Sequence, residues 1–204
     1  MKQVNKTNLN SATYWDDVYL SERGSGKRRV DDERINYVVG QMRSWKDHNP
    51  HEENNWLLDV GCGDGEMLRF LHAHSPTWKM HGIDITPNTL NSARSDNPGF
   101  QFKDGSIYEI PYEANTFNVI FCGETIEHLE HPQIAIAELF RVAKPGGYVI
   151  ISLPNEHANY SPEHINEFTV GECLSLTSKY GQVIYDDIRV VCNGISVVWV
   201  TKNG

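Results

Sequence analysis

The segment Asn55-Trp56-Leu57-Leu58-Asp59-Val60-Gly61-Cys62-Gly63-Asp64-Gly65-Glu66-Met67-Leu68 constrains this chain more than any other. An apolar run ends at an acid, breaks into three alternating glycines, and resumes with Met67, Leu68, Phe70 and Leu71 at helical spacing. That order reads as a buried strand, a tight loop and a helix. Glycine is needed in such a loop where φ turns positive or where backbone must approach a ligand closely. The rest of the chain can be read as a sheet built outward from this unit.

Upstream, residues 1–30 are polar but hold Tyr14, Trp15 and Tyr19, too many aromatics for a solvated tail, so this arm is expected to fold onto the body or its ligand. From Asp31 to about Lys46, Ile35, Val38, Val39, Met42 and Trp45 recur at spacings of three to four and predict an amphipathic helix. Downstream, Lys79 to Asp84 predicts a second strand ending in an acid, and Pro87 opens a helix that runs toward Pro98. Phe100–Lys103 and Phe117–Cys122 predict strands, with a helix after Pro132. Lys144-Pro145-Gly146-Gly147 reads as a turn before the apolar strand Tyr148–Leu153. A loop rich in His, Asn and Pro follows, including His157, then a helix from Val170 to Lys179. Two β segments, Gln182–Val191 and Ile195–Thr201, flank Asn193-Gly194, a hairpin signal. The predicted fold is α/β: a doubly wound, mostly parallel seven-stranded sheet of Rossmann type with a C-terminal antiparallel hairpin. Residues 1–30 form an arm or lid and 31–204 one domain.

The 18 Lys+Arg against 27 Asp+Glu leave a net charge of -9, which repels polyphosphate and argues against a nucleic-acid partner. The one basic cluster, Lys27-Arg28-Arg29, reads as a solvated loop. Cys62, Cys122, Cys173 and Cys192 form no CxxC pair, so neither a structural zinc site nor a disulfide framework is expected. A reduced cytoplasm fits. There is no apolar run of membrane-span length, and Met1 to Lys6 lack the apolar core of a signal peptide.

In doubly wound sheets the first strand-helix loop lies where ligands bind. A dinucleotide fingerprint would read GxGxxG, whereas this loop reads GxGxG with Asp64 and Glu66 at the start of its helix. A pyrophosphate docked there would meet two carboxylates, which cancel the attraction of the helix dipole. Asp64 also reads as a plain helix cap. A cationic ligand with a ribose and no phosphate fits better. S-adenosylmethionine carries a sulfonium, an ammonium and two ribose hydroxyls; Asp59 can face the ammonium and Asp84 can accept both hydroxyls.

These residues resemble the class I S-adenosylmethionine-dependent methyltransferases over about residues 55 to 180. Leu58 to Gly65 is similar to the family's first motif, which implies cofactor contacts at Asp59, Gly61, Cys62 and Gly63. Gly82-Ile83-Asp84-Ile85 is similar to its second motif, implying contacts at Asp84 and Ile85. Asp104-Gly105-Ser106-Ile107 resembles the segment that reads the adenine, with the Asp104 carboxylate accepting from the exocyclic amine. Phe117 to Ile120 resembles the fourth strand, with Cys122 at its end on the cofactor side, and Phe140 to Gly147 the helix and turn before the fifth. Asn118 stands where the family usually has Asp. Tyr14, Trp15 and Tyr19 resemble the arm that closes over cofactor and substrate, excluding water and offering an aromatic face to the sulfonium.

A sulfonium is already an activated leaving group, so the protein must align the acceptor and remove its proton. Gly123-Glu124-Thr125-Ile126-Glu127-His128-Leu129 resembles the acceptor-side loop of the subgroup that includes ubiquinone-type O-methyltransferases. His128 is the first candidate base and Glu124 the second. No metal is expected on this reading. The alternative is a divalent site from Glu124, Glu127, His128 and His164, a pattern that resembles the metal site of RNA 3'-terminal 2'-O-methyltransferases and continues as His-x-x-x-Phe-Thr from His164 to Thr169. The expected function is methyl transfer from S-adenosylmethionine to oxygen, or else nitrogen, of a small molecule. The rivals are the metal-dependent RNA enzyme and a non-catalytic partner subunit that keeps the fold.

Overall fold

The computed structural model describes residues 11–22, 32–154, 164–183, 189–191 and 195–203. Lys27-Arg28-Arg29, His157, Cys192 and the Asn193-Gly194 turn lie outside the described residues. The elements are α1 (Ala12–Glu22), α2 (Asp32–His48), β1 (Trp56–Val60), α3 (Glu66–His74), β2 (Lys79–Asp84), α4 (Pro87–Asp96), β3 (Gln101–Asp104) and β4 (Phe117–Gly123), then α5 (Pro132–Val142), β5 (Ala143–Pro154), α6 (Val170–Thr177), β6 (Gly181–Val183), β7 (Arg189–Val191) and β8 (Ile195–Lys202). No described helix is long and apolar enough to cross a membrane.

The strands lie in the order β3-β2-β1-β4-β5-β8-β6, with β7 also paired to β8. The first five run parallel, and β8 is antiparallel to β5. Because β5 pairs with β8 from Ile195 to Thr201, β6 and β7 share the other edge of β8. The sheet is therefore seven positions wide, as expected, and the expected single segment Gln182–Val191 is two strands. The hairpin pairing holds, with Val191 opposite Ile195.

The chain alternates between two apolar faces, as a doubly covered sheet requires. Leu57, Val119, Phe121 and Ile150 face α2 and α3, meeting Ile35, Val38, Met42, Leu68 and Leu71. Leu58, Ile120, Cys122, Val149 and Ile151 face α5 and α6, meeting Ile136, Leu139, Phe140 and Cys173. Asn118, in the family's Asp position, is fully buried, and its Oδ1 accepts from the Trp56 N–H at 2.8 Å, tying β4 to the start of β1.

The Lys144 to Gly147 stretch departs from the expected turn. It is a bulge inside β5: Phe117 pairs with Ala143 while Val119 pairs with Tyr148. Gly146 at φ 72° supplies the left-handed residue the bulge needs. Across the sheet, Arg141 on α5 holds the long segment after β3. Its Nη1 donates to the Tyr112 carbonyl and its Nη2 to the Ile110 carbonyl, both at 2.8 Å, while Glu138 accepts from the Arg141 Nε at 2.6 Å. Strand order reverses between β1 and β4, which opens a crevice at their carboxyl ends.

Candidate functional site

The glycine loop is shaped by its neighbours. Gly61 and Cys62 donate to the Ile83 carbonyl at 2.9 and 3.0 Å, and the Gly63 N–H donates to Asp84 Oδ2 at 2.8 Å. Thr86 donates its N–H and hydroxyl to Asp84 Oδ1 at 3.0 and 2.5 Å. Burial pushes the Asp84 carboxyl up, opposed by these donors from Thr86 and Gly63. Gly61 and Gly63 sit at φ 77° and 52°, and a Cβ would strike the Thr125 hydroxyl at the first and the Tyr19 ring at the second. Only glycine fits both positions. Asp64 Oδ1 accepts from the Glu66 N–H at 3.1 Å, but the N-cap position of α3 is Gly65, left-handed and without a side-chain cap, so Asp64 is not the helix cap.

Two cavities meet at this loop. The larger, about 280 Å³, runs from Asp84 and Ile85 past Gly105, Ser106 and Ile107 to Tyr108, Glu124, His128 and Leu129, with Trp15 and Tyr19 from α1. Among the described residues its lining has no Lys or Arg. The smaller, about 140 Å³, gathers Asp59, Asp64, Glu66 and Glu124 around one cation, Arg34. Asp59 lies two residues from Leu57 on β1 and so shares its face, turned to α2, where Arg34 comes from the helix's buried stripe. Burial first, then Asp84, pushes the Asp59 carboxyl up to about 8, against the pull of Arg34.

Helix α1 is docked by an acid. Asp16 accepts from the Asn88 side chain at 2.9 Å and from the Thr89 N–H and hydroxyl at 3.2 and 3.1 Å, at the start of α4. Trp15 and Tyr19, four residues apart, then share the face turned to the larger cavity. The Trp15 ring meets His128 edge-on at 4.6 Å between centroids.

The loop after β4 carries the remaining groups. Glu124 adopts φ 49°, a left-handed conformation uncommon for a residue with a Cβ, and it lines both cavities. A single 3-10 turn, Ile126–His128, turns Glu127 inward. Glu127 is 1% exposed, and among the described residues no hydrogen bond of sound geometry reaches either of its oxygens. Burial first, then Glu124, pushes its carboxyl well up. His128 Nε2 lies 3.7 Å from Glu127 Oε1, and the His164 ring is 5.2 Å from that of His128. One ligand atom from each of Glu127, His128 and His164 falls within 4.8 Å of the others, a spacing a metal ion could bridge; Glu124 is not in that group.

Most of the residues expected at the site converge on it. Asp59, Gly61, Cys62, Asp84, Ile85, Gly105, Ser106, Glu124, His128 and Trp15 line one cavity or the other, and Gly63 forms the wall under Tyr19. Three do not. Asp104 is exposed, pairs with Arg94 on α4 at 2.8 Å and lines neither cavity. Cys122 is buried in the α5 face of the core and lines neither cavity. Tyr14 packs edge-on to Trp15 and also lines neither. Sequence reasoning missed Arg34 and Asp16. Arg34 was signalled by a charge in helical register with Val38 and Trp45; Asp16 had no such signal.

The cavity lining fits S-adenosylmethionine: a glycine cradle that a Cβ would fill, an acid at the end of β2, and, around the glycine loop, four carboxylates against the one cation Arg34 among the described residues, a balance unsuited to a pyrophosphate. Comparison with known proteins agrees. The family model described as "Methyltransferase domain" matches residues 58–151. The chain is 33% identical to an uncharacterised methyltransferase of Schizosaccharomyces pombe over 46% of its length and 37% of that protein's. It is 28% identical to a ubiquinone biosynthesis O-methyltransferase of Paracidovorax citrulli over 56% of its length and 50% of that protein's. The chain thus spans half or less of these curated relatives. A SAM-dependent methyltransferase of Aquifex aeolicus has the same fold, with a TM-score of 0.61 at 23% identity over 85% of this chain and 100% of that one. With the β1 glycine loop, β2 acid and strand order in place, residues 58–151 match the methyltransferase domain family, on the fold seen in the S-adenosylmethionine-dependent methyltransferase of Aquifex aeolicus.

Proposed function

We propose that this chain transfers the methyl group of S-adenosylmethionine to an oxygen of a small molecule. The observation that carries the proposal is a continuous cavity from the Asp84 carboxylate and glycine loop to the His128 ring, walled by Trp15 and Tyr19. When bound, S-adenosylmethionine supplies a methyl group activated on a sulfonium. The chain's own residues bind, orient and deprotonate. Asp84 Oδ2 accepts from the Gly63 N–H alone and keeps a lone pair for a ribose hydroxyl, while Oδ1 already accepts from both the N–H and the hydroxyl of Thr86, so a second ribose hydroxyl would take the place of the Thr86 hydroxyl. Gly105, Ser106 and Ile107 flank the adenine. In the smaller cavity Asp59 faces the ammonium and Arg34 the carboxylate of the methionine part. Trp15 and Tyr19 cover the sulfonium and exclude water. A ring nitrogen of His128 takes the acceptor's proton, with Glu124 beside it.

Titration calorimetry tests the cofactor half. Wild type is expected to bind S-adenosylmethionine and Asp84→Ala to lose at least tenfold in affinity; equal binding by the two would refute the placement. His128→Ala should keep cofactor affinity and lose turnover.

A second reading is favoured by one observation, the buried Glu127 carboxylate beside His128 and His164, which no hydrogen bond of sound geometry reaches among the described residues. A divalent ion there would satisfy it and would suit an RNA 2'-hydroxyl as acceptor. The small-molecule reading is preferred because the larger cavity has no lining Lys or Arg, among the described residues, to meet a phosphate backbone. Full activity in chelator removes the second reading; activity that needs added Mn2+ and is lost in His164→Ala establishes it.

A further inference from the structure

Resting on the proposed methyl transfer, we infer that the acceptor is a hydroxy-aromatic molecule without a carboxylate or phosphate, and that the cavity rejects anionic acceptors by charge. Beyond the residues assigned to the ribose and adenine, the larger cavity is lined by Trp15, Tyr108 and Leu129, apolar surfaces suited to an aromatic ring. Among the described lining residues the carboxylates are Glu124 and, at the inner end, Asp84; Glu127, whose carboxyl burial pushes well up, lies behind His128 at 3.7 Å and does not line the cavity.

Positive charge is directed elsewhere. Among the described lining residues His128 alone can carry it, and the proposed chemistry needs that ring neutral to accept a proton. Arg34 lies in the smaller cavity, among four carboxylates. Arg94 is paired with Asp104 at 2.8 Å, and Arg141 with Glu138 at 2.6 Å. Lys103 donates to the Pro111 carbonyl at 2.7 Å and lies over the Tyr112 ring. Among the described residues an acceptor carboxylate would therefore lose its water without gaining a counter-charge. Placed ~6 Å from one ionised Glu at an effective dielectric constant of ~20, it would be disfavoured by roughly a hundredfold. Salt screening lowers that figure, and a factor of ten or more is expected to survive.

Three probes with the same pair of hydroxyls test the inference: 4-methylcatechol, 3,4-dihydroxybenzylamine and 3,4-dihydroxybenzoate. Their affinities are measured by calorimetry on the protein saturated with S-adenosylhomocysteine, in 0.15 M salt (about an 8 Å Debye length) with chelator. The neutral and cationic probes are expected to bind at least tenfold more tightly than the benzoate, and Glu124→Gln to narrow that gap. Benzoate binding within about threefold of 4-methylcatechol, with chelator or with added Mn2+, overturns the charge rule. So does failure of all three probes to bind the saturated protein. Failure of S-adenosylhomocysteine itself to bind is a different result, which overturns the cofactor assignment on which the inference rests.

Discussion

Asp59 offers the sharpest link between the buried site and a solution measurement. Its carboxyl titrates near 8 rather than 3.8, chiefly because burial strips water from the charged form. At pH 7 about nine-tenths of the free protein would hold a proton there. A ligand ammonium entering the smaller cavity favours the ionised form, so binding must expel that proton. Cofactor affinity should then rise roughly tenfold between pH 6 and pH 7 and level off near pH 8. Calorimetry at pH 7 in buffers of different ionisation heat should show net proton release, up to one proton per S-adenosylhomocysteine bound. The same shift governs stability. The folded carboxyl binds its proton more tightly than the unfolded one, so its contribution is complete below about pH 4 and is lost as pH rises to about 8. At about 1.4 kcal/mol for each tenfold in proton affinity, that loss is on the order of 5 kcal/mol. Asp84 and Glu127 are shifted in the same direction, so the informative quantity is a difference between proteins. Asp59→Asn should lose less stability than wild type from pH 5 to pH 8 in urea titrations, and should bind cofactor weakly and without proton release. Proton release that persists in Asp59→Asn would refute the reasoning.

Other substitutions probe the frame around the site. Gly63→Ala places a methyl group in the Tyr19 ring at a φ of 52°, so cofactor binding should fall below detection while far-ultraviolet dichroism stays near wild type. Asp16→Ala removes the acceptor of three hydrogen bonds from the start of α4. Hydrogen exchange should quicken in α1 before it changes in the sheet, and cofactor should dissociate faster. Arg141→Ala frees the Ile110 and Tyr112 carbonyls and should cost about 2 kcal/mol in urea unfolding, with Arg141→Lys recovering only part because one ammonium cannot reproduce the fork.

The fold was legible because burial on two faces writes itself into sequence as continuous apolar runs. Leu57 and Leu58 on β1, or Val149 to Ile151 on β5, read as strands without knowledge of their partners. Acid and glycine positions in β1 and β2 were legible for the same local reason: the backbone conformation at Gly61 and Gly63 admits one residue type. What stayed hidden depends on contacts distant in sequence. Asp104 is legible from its place at the end of β3, whereas its ion pair with Arg94, on a different element, is not. The bulge at Lys144 to Gly147 was read as a turn because Pro-Gly-Gly signals both; only the pairing of Ala143 with Phe117 distinguishes them. Arg34 and Asp16 take their meaning from Asp59 and from α4, and neither pairing leaves a local trace.

The two glycines that constrain the loop also tie the two halves of the site together. Gly61 is packed against Thr125, whose hydroxyl donates to the Gly123 carbonyl at 2.9 Å and which opens the turn carrying Glu127 and His128. Gly63 is packed against Tyr19, one helical turn from the Trp15 that meets His128. A displacement of the loop by even a few tenths of an ångström must therefore move both the acceptor-side turn and the N-terminal helix, since interiors packed this closely transmit strain. Cofactor in the cradle and alignment of His128 are then coupled mechanically as well as through charge. Gly61→Ala, which would push on Thr125 directly, should shift the His128 ring resonances in NMR spectra even without ligand. Unchanged His128 resonances in that variant would show the two halves to be independent.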